Sequence, residues 1–253
     1  MRTELPAVDE RLVAPESGYE IVDGEVVEVP PADEDHAVNH CALGALLLAH
    51  RHVDRGVAVD MLTRTSQRDD MAPDASVYPA ARDPRTGGRQ LEELAFEVLS
   101  TERSSHAEGK AAKLVARGVR RVFGVDIVRR RVLEWSRELE GWSVLPLDVP
   151  IEDEALAIPL PLEPLVDATL AVDAMVRAFR AQRHPEFIAE REEGREEGRR
   201  EERRTTLRRL LALRFGPLDA EVEARIAAAS YDALERYLAR VLSAGSAAEV
   251  VEH

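Results

Sequence analysis

Apolar and polar residues alternate along residues 19–29 (YEIVDGEVVEV), and Asp23-Gly24 interrupts the alternation. An aspartate–glycine pair between two alternating runs is typical of a tight hairpin turn, so this segment predicts a β-hairpin. The acidic residues 33–35 then suit the start of a helix, because their side chains can cap free backbone N–H groups. The apolar segment 36–51 (HAVNHCALGALLLAHR) is therefore predicted to be the first helix.

Short apolar runs and one further helix follow, as far as residue 145. The predicted strands are 57–61, 75–78, 94–99, 122–126, 131–135 and 141–145. The run 94–99 (LAFEVL) has the continuous apolar character of a buried central strand, whereas 82–90 (RDPRTGGRQ) has the composition of a loop. Residues 104–117 predict a helix that ends before Gly118. This order of elements predicts an α/β or α+β domain built around a mixed sheet.

The pattern changes near residue 146, where a proline-rich connection begins. It leads to a helix predicted at 165–180, and then to a highly charged segment that contains the repeat REEG. Glutamate and arginine can pair three or four residues apart on a helix, so this segment is also predicted to be helical. A spacer, a weak coiled coil and a solvated helix are all compatible with it. From residue 207 the pattern becomes amphipathic, which predicts a small helical module.

These changes divide the chain of 253 residues into three predicted parts. Residues 1–163 form the α+β domain, 164–206 form a helical connector with the charged helix, and 207–253 form the small module. A chain of this length allows one medium domain with an appendage, or two small domains.

The composition narrows the compartment and the kind of site. Cys41 is the single cysteine, which excludes an intrachain disulfide and a cysteine-based zinc cluster. The sequence has neither an apolar run of membrane-spanning length nor the pattern of a signal peptide, so we expect a cytoplasmic protein with no membrane partner. The net charge of −14 argues against a general nucleic-acid coat. Residues 103–131 are locally basic, with nine basic and two acidic residues, and either solvent or phosphate contact would explain them.

Three positions suggest chemistry. Glu97 stands inside the apolar run 94–99, where a carboxylate is costly to bury unless a metal ion or a cationic side chain compensates it. Asp74 precedes a predicted strand and offers a second carboxylate, and one or two carboxylates commonly hold Mg²⁺. The chain has 34 basic residues, of which only Lys110 and Lys113 are lysines. A lysine near such carboxylates can orient or deprotonate a water molecule, although a structural ion pair would explain the same spacing.

A resemblance sharpens this interpretation. Residues 19–28 (YEIVDGEVVE), 73–77 (PDASV), 96–100 (FEVLS) and 110–126 (KAAKLVARGVRRVFGVD) resemble, in the same order, the Uma family of restriction endonucleases. This family belongs to the PD-(D/E)xK nuclease superfamily, and the resemblance covers about residues 18–145. It implies a restriction-endonuclease-like mixed sheet flanked by helices, a divalent cation (Mg²⁺ or Mn²⁺), and DNA as the substrate.

The resemblance also implies site residues. The family's proline–aspartate pair falls on Asp74, its strand glutamate on Glu97, and its lysine, supplied by the following helix, on Lys110. Lys113 is the reserve candidate for that lysine. Two accessory residues are Glu20, as an outer metal ligand or structural acid, and His36, since similar sequences often have a histidine there. The sequence departs from the family pattern at 100–102, and at His106 and Leu114, which bears on activity more than on the fold.

Several functions are open at this point. The leading hypothesis is a metal-dependent DNA endonuclease that uses Asp74, Glu97 and Lys110. A catalytically inactive module for nucleic-acid binding or protein interaction is the alternative, and an oligomerisation scaffold, hence a homo-oligomer, is a third. The C-terminal module resembles one appended to transposase-associated nucleases, which implies no function. His36 and His40 have a zinc-binding spacing, but helix-capping or surface histidines explain it better.

Overall fold

The alternating segment near the N-terminus forms the predicted hairpin, with strands β1 (Tyr19–Val22) and β2 (Glu25–Glu28). Asp23 and Gly24 have φ angles of 54° and 88°, and two successive positive values are what a type I′ turn requires. The structure of the protein, a computed structural model, describes residues 5–12, 18–29, 31–99 and 104–252. It divides into two units, Met1–Gln182 and Arg183–His253.

The central sheet of the first unit has six strands within the described residues, in the order β10-β9-β8-β7-β6-β3. Their bounds are β3 Arg55–Val59, β6 Ala75–Pro79, β7 Leu94–Leu99, β8 Arg121–Asp126, β9 Arg131–Ser136 and β10 Gly141–Leu145. The pair β7–β8 is parallel and the other pairs are antiparallel, so the predicted mixed sheet is confirmed. All six residues of β7 are buried, including Glu97, as its predominantly apolar sequence predicted.

Helices cover both faces of this sheet. Helix α1 (Glu34–His50) is capped by the preceding Asp33, whose side chain accepts a hydrogen bond from the backbone N–H of His36. Helix α2 (Ser104–Arg117) ends before Gly118, which has a φ of 125° that an L side chain rarely adopts. Leucines of α1 pack with Phe96 and Val98 on one face of the sheet, and α2 packs on the other. Burial of each such large apolar side chain stabilises the fold by roughly 1.5–3 kcal/mol.

A smaller sheet holds the hairpin beside α2. Its strand order is β2-β1-β5-β4, with β4 at Thr63–Arg64 and β5 at Asp70–Met71. Ile21 of β1 faces Asp70 of β5 in an antiparallel pair. This pairing connects the hairpin to the chain just ahead of Asp74.

The helix predicted at 165–180 is interrupted. The segment contains α3 (Glu163–Val166), a 3₁₀ turn (Ala168–Leu170) and α4 (Ala171–Ala181). Asp167 between them has an extended backbone, and its side chain accepts hydrogen bonds from the N–H and the hydroxyl of Thr169. An aspartate that caps a new turn in this way ends the preceding helix. The prediction of a single continuous helix was therefore wrong.

The first unit extends beyond the predicted boundary at 163/164. Leu165, Val166, Ala171 and Ala174 belong to the core that covers the α1 face of the sheet. Gln182, the last residue of the unit, donates a 2.6 Å hydrogen bond to the carbonyl of Ala49. The helices just after residue 163 therefore complete the core of the first unit.

The second unit is helical in its described part. The charged segment forms one long helix, α5 (Pro185–Phe215), followed by α6 (Ala220–Ala228), α7 (Tyr231–Arg240) and α8 (Ala247–Val250). Leu207 and Leu211 are the buried residues of α5, and they pack with α6 and α7. The charged part ahead of Leu207 carries ion pairs along its own length, such as Arg204 with Glu197 (3.2 Å). In the described part of the chain, no helix is both long and apolar enough to span a bilayer.

Candidate active site

A cavity of about 590 Å³ lies in the first unit and is lined by residues of the hairpin, α1, β7 and α2. Its ionisable lining residues include Glu20, His36, His40, Asp60, Asp74, Glu97, His106 and Lys110. The sequence had singled out six candidates, and all of them except Lys113 line this cavity. The expected residues therefore meet in one place although they come from five separate segments of the chain.

Glu97 faces α2 because of the alternation of β7. Its neighbours Phe96 and Val98 belong to the core under α1, whereas Ala95 and Leu99 pack with apolar residues of α2. Side chains of a strand alternate between the two faces, so Glu97 shares the α2 face with Ala95 and Leu99. This alternation turns the only charged side chain of the strand toward Lys110.

One carboxylate oxygen of Glu97 is paired and the other is not. Oε2 accepts a 3.0 Å hydrogen bond from Nζ of Lys110, while the buried Oε1 has no hydrogen-bond partner among the described residues. Glu97 is only 4 % exposed. Burial raises its pKa well above the ordinary value, and the charges of Asp74 and Glu20 add to this effect against the attraction of Lys110.

Asp74 lies where the sheet register brings it opposite Glu97. It immediately precedes β6, in which Ala75 faces Phe96 of β7. Its Oδ2 atom accepts a 2.6 Å hydrogen bond from the backbone N–H of Val98 and lies 3.8 Å from Nε2 of His36. The two carboxylates are thus at the same end of neighbouring strands.

Lys110 is held from three sides. Its Nζ atom donates to the Ala72 carbonyl (2.9 Å) and to Glu97, and it lies 2.9 Å from Oε1 of Glu20. Burial lowers the pKa of this lysine, but the negative charges of Glu97, Glu20 and Asp74 more than offset it, so the pKa is raised. Lys110 is therefore an ammonium that donates hydrogen bonds in this arrangement.

Glu20 connects the hairpin to this group. It is 1 % exposed, and it accepts hydrogen bonds from the backbone N–H of Ala72 (2.8 Å) and from Nε2 of His106 (2.9 Å). Burial opposes its ionisation, but the His106 hydrogen bond, the Lys110 charge and the Ala72 N–H together lower its pKa to about 2. Glu20 is thus ionised, and it holds Lys110 opposite Glu97.

Lys113 lies elsewhere. Its Nζ atom contacts Asp23 (2.8 Å) and Asp69 (2.5 Å), which join α2 to the hairpin turn and to the loop before β5. It does not line the cavity. The reserve candidate therefore makes structural ion pairs, and the geometry favours Lys110.

Two possible metal ligands on the cavity wall were not predicted as site residues from the sequence. Asp60 follows β3 and carried no motif, while His40 was interpreted as a surface histidine. Ligand atoms of His40, Asp60 and Asp74 lie within 4.8 Å of one another. The pairing of β3 with β6 would have indicated Asp60. Val59 faces Ala75 in this antiparallel pair, so the next residue, Asp60, falls opposite Asp74.

The donor set suits a divalent cation. Carboxylate oxygens of Asp74 and Glu97 are the hard ligands that Mg²⁺ and Mn²⁺ accept, and the buried Oε1 of Glu97 has an unused lone pair. Glu92 and Asp70 also carry a buried oxygen without a hydrogen-bond partner among the described residues, but neither lines the cavity. Glu97 thus combines an unpartnered oxygen with access to a cavity and a second carboxylate.

The locally basic run does not form a phosphate-binding patch of uncommitted cations. Arg121 pairs with Glu134 (2.6 Å), Arg131 pairs with Asp126 (2.9 Å), and Arg120 pairs with Asp153 and Glu154. Arg103 lies outside the described residues. Intramolecular ion pairs therefore explain much of the run.

Comparisons with known proteins bear on the fold and the family. The fold is similar to that of a "putative nuclease belonging to DUF820" from Anabaena variabilis ATCC 29413, whose crystal structure matches with a TM-score of 0.50 and 16 % identity. The similarity covers 64 % of this chain and 98 % of that chain. It confirms the restriction-endonuclease-like α+β fold.

The sequence identifies the family. The Uma2 family model, described as "Putative restriction endonuclease", matches residues 5–172, which is more than half of the chain. The chain therefore belongs to the Uma2 family, as its motifs indicated. The matched region ends before the charged helix and the C-terminal module. No protein with a curated description matches the chain.

Proposed function

We propose that the protein is a metal-dependent endonuclease that hydrolyses phosphodiester bonds of DNA. Asp74 and Glu97 would hold Mg²⁺ or Mn²⁺, and Lys110 would act on the substrate as an ammonium. Glu20 would position Lys110, and His36 would position Asp74. Membership of a nuclease family supports the reaction class.

The observation that carries the proposal is the state of the Glu97 carboxylate. A buried polar atom without a partner costs free energy, and a bound ion is one arrangement that removes this cost. Here the unpartnered Oε1 belongs to a carboxylate on a cavity wall, opposite Asp74. A cation bound by both carboxylates would satisfy that oxygen and compensate their repulsion.

The residues divide the chemistry between them. When bound, the cation would supply a Lewis acid that polarises a phosphoryl oxygen and lowers the pKa of a coordinated water molecule. The ammonium of Lys110 can donate a hydrogen bond toward the phosphate and offset the negative charge that develops there. Glu97 and Glu20 raise the pKa of Lys110, so this lysine keeps its proton. It therefore orients the phosphate and neutralises its charge, and it does not serve as the base that deprotonates water.

The alternative, a catalytically inactive module, is supported by one observation. The Glu20–Lys110–Glu97 group also compensates much of its own charge without any cation. An ancestral site could persist in this form as a structural ion-pair cluster. The two hypotheses differ in whether metal and DNA cleavage depend on Glu97.

Cleavage of supercoiled plasmid DNA tests the proposal. The full chain should nick or linearise the plasmid in Mg²⁺ or Mn²⁺ and not in EDTA, and Glu97→Ala should lower the rate on the order of 100-fold or more. Glu92→Ala is the matched control, because it makes the same change at another buried glutamate that does not line the cavity. If folded wild-type protein shows no metal-dependent cleavage, or if Glu97→Ala cleaves as fast, the inactive-module hypothesis replaces this one.

A further inference from the structure

A histidine and two aspartates converge on the α1 side of the cavity. His40 belongs to α1, Asp60 follows β3, and Asp74 precedes β6. Nε2 of His40 lies 3.8 Å from Oδ1 of Asp60, and it also contacts the backbone carbonyl oxygen of Asp74. One ligand atom from each of the three residues lies within 4.8 Å of the other two.

These separations suit a shared ion. Bonds from a divalent cation to nitrogen and oxygen are about 2.0–2.2 Å long, so ligand atoms around one ion are roughly 3–4.4 Å apart. The 3.8 Å between His40 and Asp60 falls inside that interval. The ligand atoms of the three residues lie up to 4.8 Å apart, and small side-chain rotations would bring them close enough to coordinate one ion. The side chain of Asp60 is 69 % exposed and thus has room to rotate.

A second observation comes from Glu97. Its unpartnered Oε1, in a side chain more than nine-tenths buried, belongs to the wall of the same cavity. Asp74 lies between Glu97 on one side and the His40–Asp60 pair on the other. The cavity thus offers more ligand atoms than one ion between Asp74 and Glu97 would use.

We propose that His40, Asp60 and Asp74 form a second divalent-cation site that shares Asp74 with the first, and that this site selects Mn²⁺ over Mg²⁺. The inference rests on the proposed function because Asp74 is common to both sites. An imidazole nitrogen suits transition-metal ions, among which Mn²⁺ is the weakest binder, whereas Mg²⁺ is held by oxygen ligands, so a histidine in the ligand set favours Mn²⁺ over Mg²⁺. The first site, with carboxylate ligands only, has no such preference.

Binding at His40 involves a change of tautomer. In the contact with the Asp74 carbonyl, Nε2 is the donor and carries the proton. To coordinate a cation, neutral imidazole must carry its proton on Nδ1, which leaves the Nε2 lone pair for the ion. The backbone carbonyl oxygen of Asp74 then loses the hydrogen bond from His40, and the nearby cation would replace that interaction.

Metal binding, measured without DNA, tests the inference. Full-length protein stripped with EDTA is titrated with Mn²⁺, and unbound Mn²⁺ is followed by its electron paramagnetic resonance signal. Wild type should bind one ion that is lost in Glu97→Gln and another that is lost in His40→Ala and in Asp60→Asn. Loss of a direct ligand should weaken the binding of the corresponding ion at least about tenfold, since even residues that only hydrogen-bond to a ligand change metal affinity by that much. Excess Mg²⁺ should displace the Glu97-dependent ion and leave the His40-dependent one.

Controls keep the test decisive. His52→Ala removes an exposed histidine that contacts Asp54 (2.6 Å) away from the cavity, and it should bind Mn²⁺ as wild type does. Asp60→Asn preserves the fold if His40→Ala does not, because asparagine tolerates the positive φ of 49° at this exposed position.

Each outcome decides one point. Unchanged Mn²⁺ binding in both His40→Ala and Asp60→Asn overturns the second site, and so does a single ion lost only in Glu97→Gln. Displacement of both ions by Mg²⁺ overturns the selectivity. If wild type binds a single ion, and that ion is lost in His40→Ala but not in Glu97→Gln, the result supports this site and contradicts the metal role of Glu97, so the two proposals fail separately.

Discussion

The ammonium of Lys110 donates a 3.0 Å hydrogen bond to Oε2 of Glu97, while Oε1 of the same carboxylate has no partner among the described residues. The carboxylate is thus half compensated. Satisfying both oxygens would stabilise the fold, so the arrangement reduces stability at a position that faces a cavity. Local violations of this kind are expected at functional sites, where stability is exchanged for reactivity.

Glu97→Gln should stabilise the protein in the absence of metal at pH 8. Burial raises the pKa of Glu97 above the ordinary value of 4.5, so the folded state binds this proton more readily than the unfolded state does. The contribution of this group to stability is therefore full below about pH 4.5 and is lost as the pH rises toward the folded-state pKa. Glutamine resembles the protonated form at every pH, and we expect a gain of about 1 kcal/mol at pH 8 that shrinks toward pH 5. Urea unfolding in EDTA at both pH values measures it.

The control for this prediction is Glu92→Gln. Glu92 is also buried, but it pairs with Arg89 (2.9 Å) and accepts a hydrogen bond from Thr63. Removal of its charge should destabilise the protein by roughly 1–3 kcal/mol, because the partly buried Arg89 loses its partner. If Glu97→Gln destabilises the protein as Glu92→Gln does, Glu97 is a structural ion-pair residue.

Divalent cations should raise the melting temperature of the first unit. An ion that binds the folded state only, at 100 times its dissociation constant, stabilises by about 2.7 kcal/mol, and each kcal/mol corresponds to about 2–4 °C in a domain of this size. Asp74→Asn and Glu97→Gln should each reduce this shift. Calorimetry with and without millimolar Mg²⁺ or Mn²⁺ checks it, and a wild-type melting temperature indifferent to both metals would count against any metal site.

Much of the fold was predictable because local patterns determine it. The hairpin turn at Asp23-Gly24, the run 94–99 and the glycine after α2 each specify their element through nearby residues alone. The break at Asp167 was missed because the side chain that interrupts the helix makes its hydrogen bonds to Thr169, a competition that apolar periodicity does not reveal.

The site was predictable only in part, for a different reason. Glu97 stood out as a charge in an apolar strand, and the resemblance placed Asp74 and Lys110 in register with it. Asp60 and His40 join the cavity through long-range pairing of β3 with β6 and packing of α1, which no local pattern encodes. The ion-pair role of Lys113 likewise depends on the fold, because its partners lie 90 and 44 residues away.

Truncation after Arg183 should leave a folded nuclease-like domain. The first unit ends at Gln182, and the core of the second unit is built from its own helices. A chain ending at residue 163 is the control, since it lacks Leu165 and Val166, whose burial stabilises the core by roughly 1.5–3 kcal/mol each. Cooperative melting of the longer fragment alone is the expected result. An insoluble or non-cooperative longer fragment would show that the C-terminal unit is needed for folding.

Lys110→Arg should abolish most DNA cleavage, although it preserves the positive charge. The pocket around Nζ is set by Glu20, Glu97 and the Ala72 carbonyl at 2.9–3.0 Å, and it fits a compact ammonium. A guanidinium is larger and planar, so it would displace these partners and the carboxylate that we propose binds the cation. The cleavage rate should fall on the order of 100-fold, while DNA binding and its salt dependence change little.

Lys113→Arg is the matched comparison, because it makes the same change one helical turn away. Lys113 is partly exposed and pairs with Asp23 and Asp69, and an arginine can preserve both ion pairs. Its cleavage rate should therefore stay within about threefold of wild type, since surface substitutions usually change little. If phosphate attraction were the only role of either lysine, both variants would cleave equally well. Full activity in Lys110→Arg would refute the assigned role, and loss of activity only in Lys113→Arg would transfer that role to Lys113.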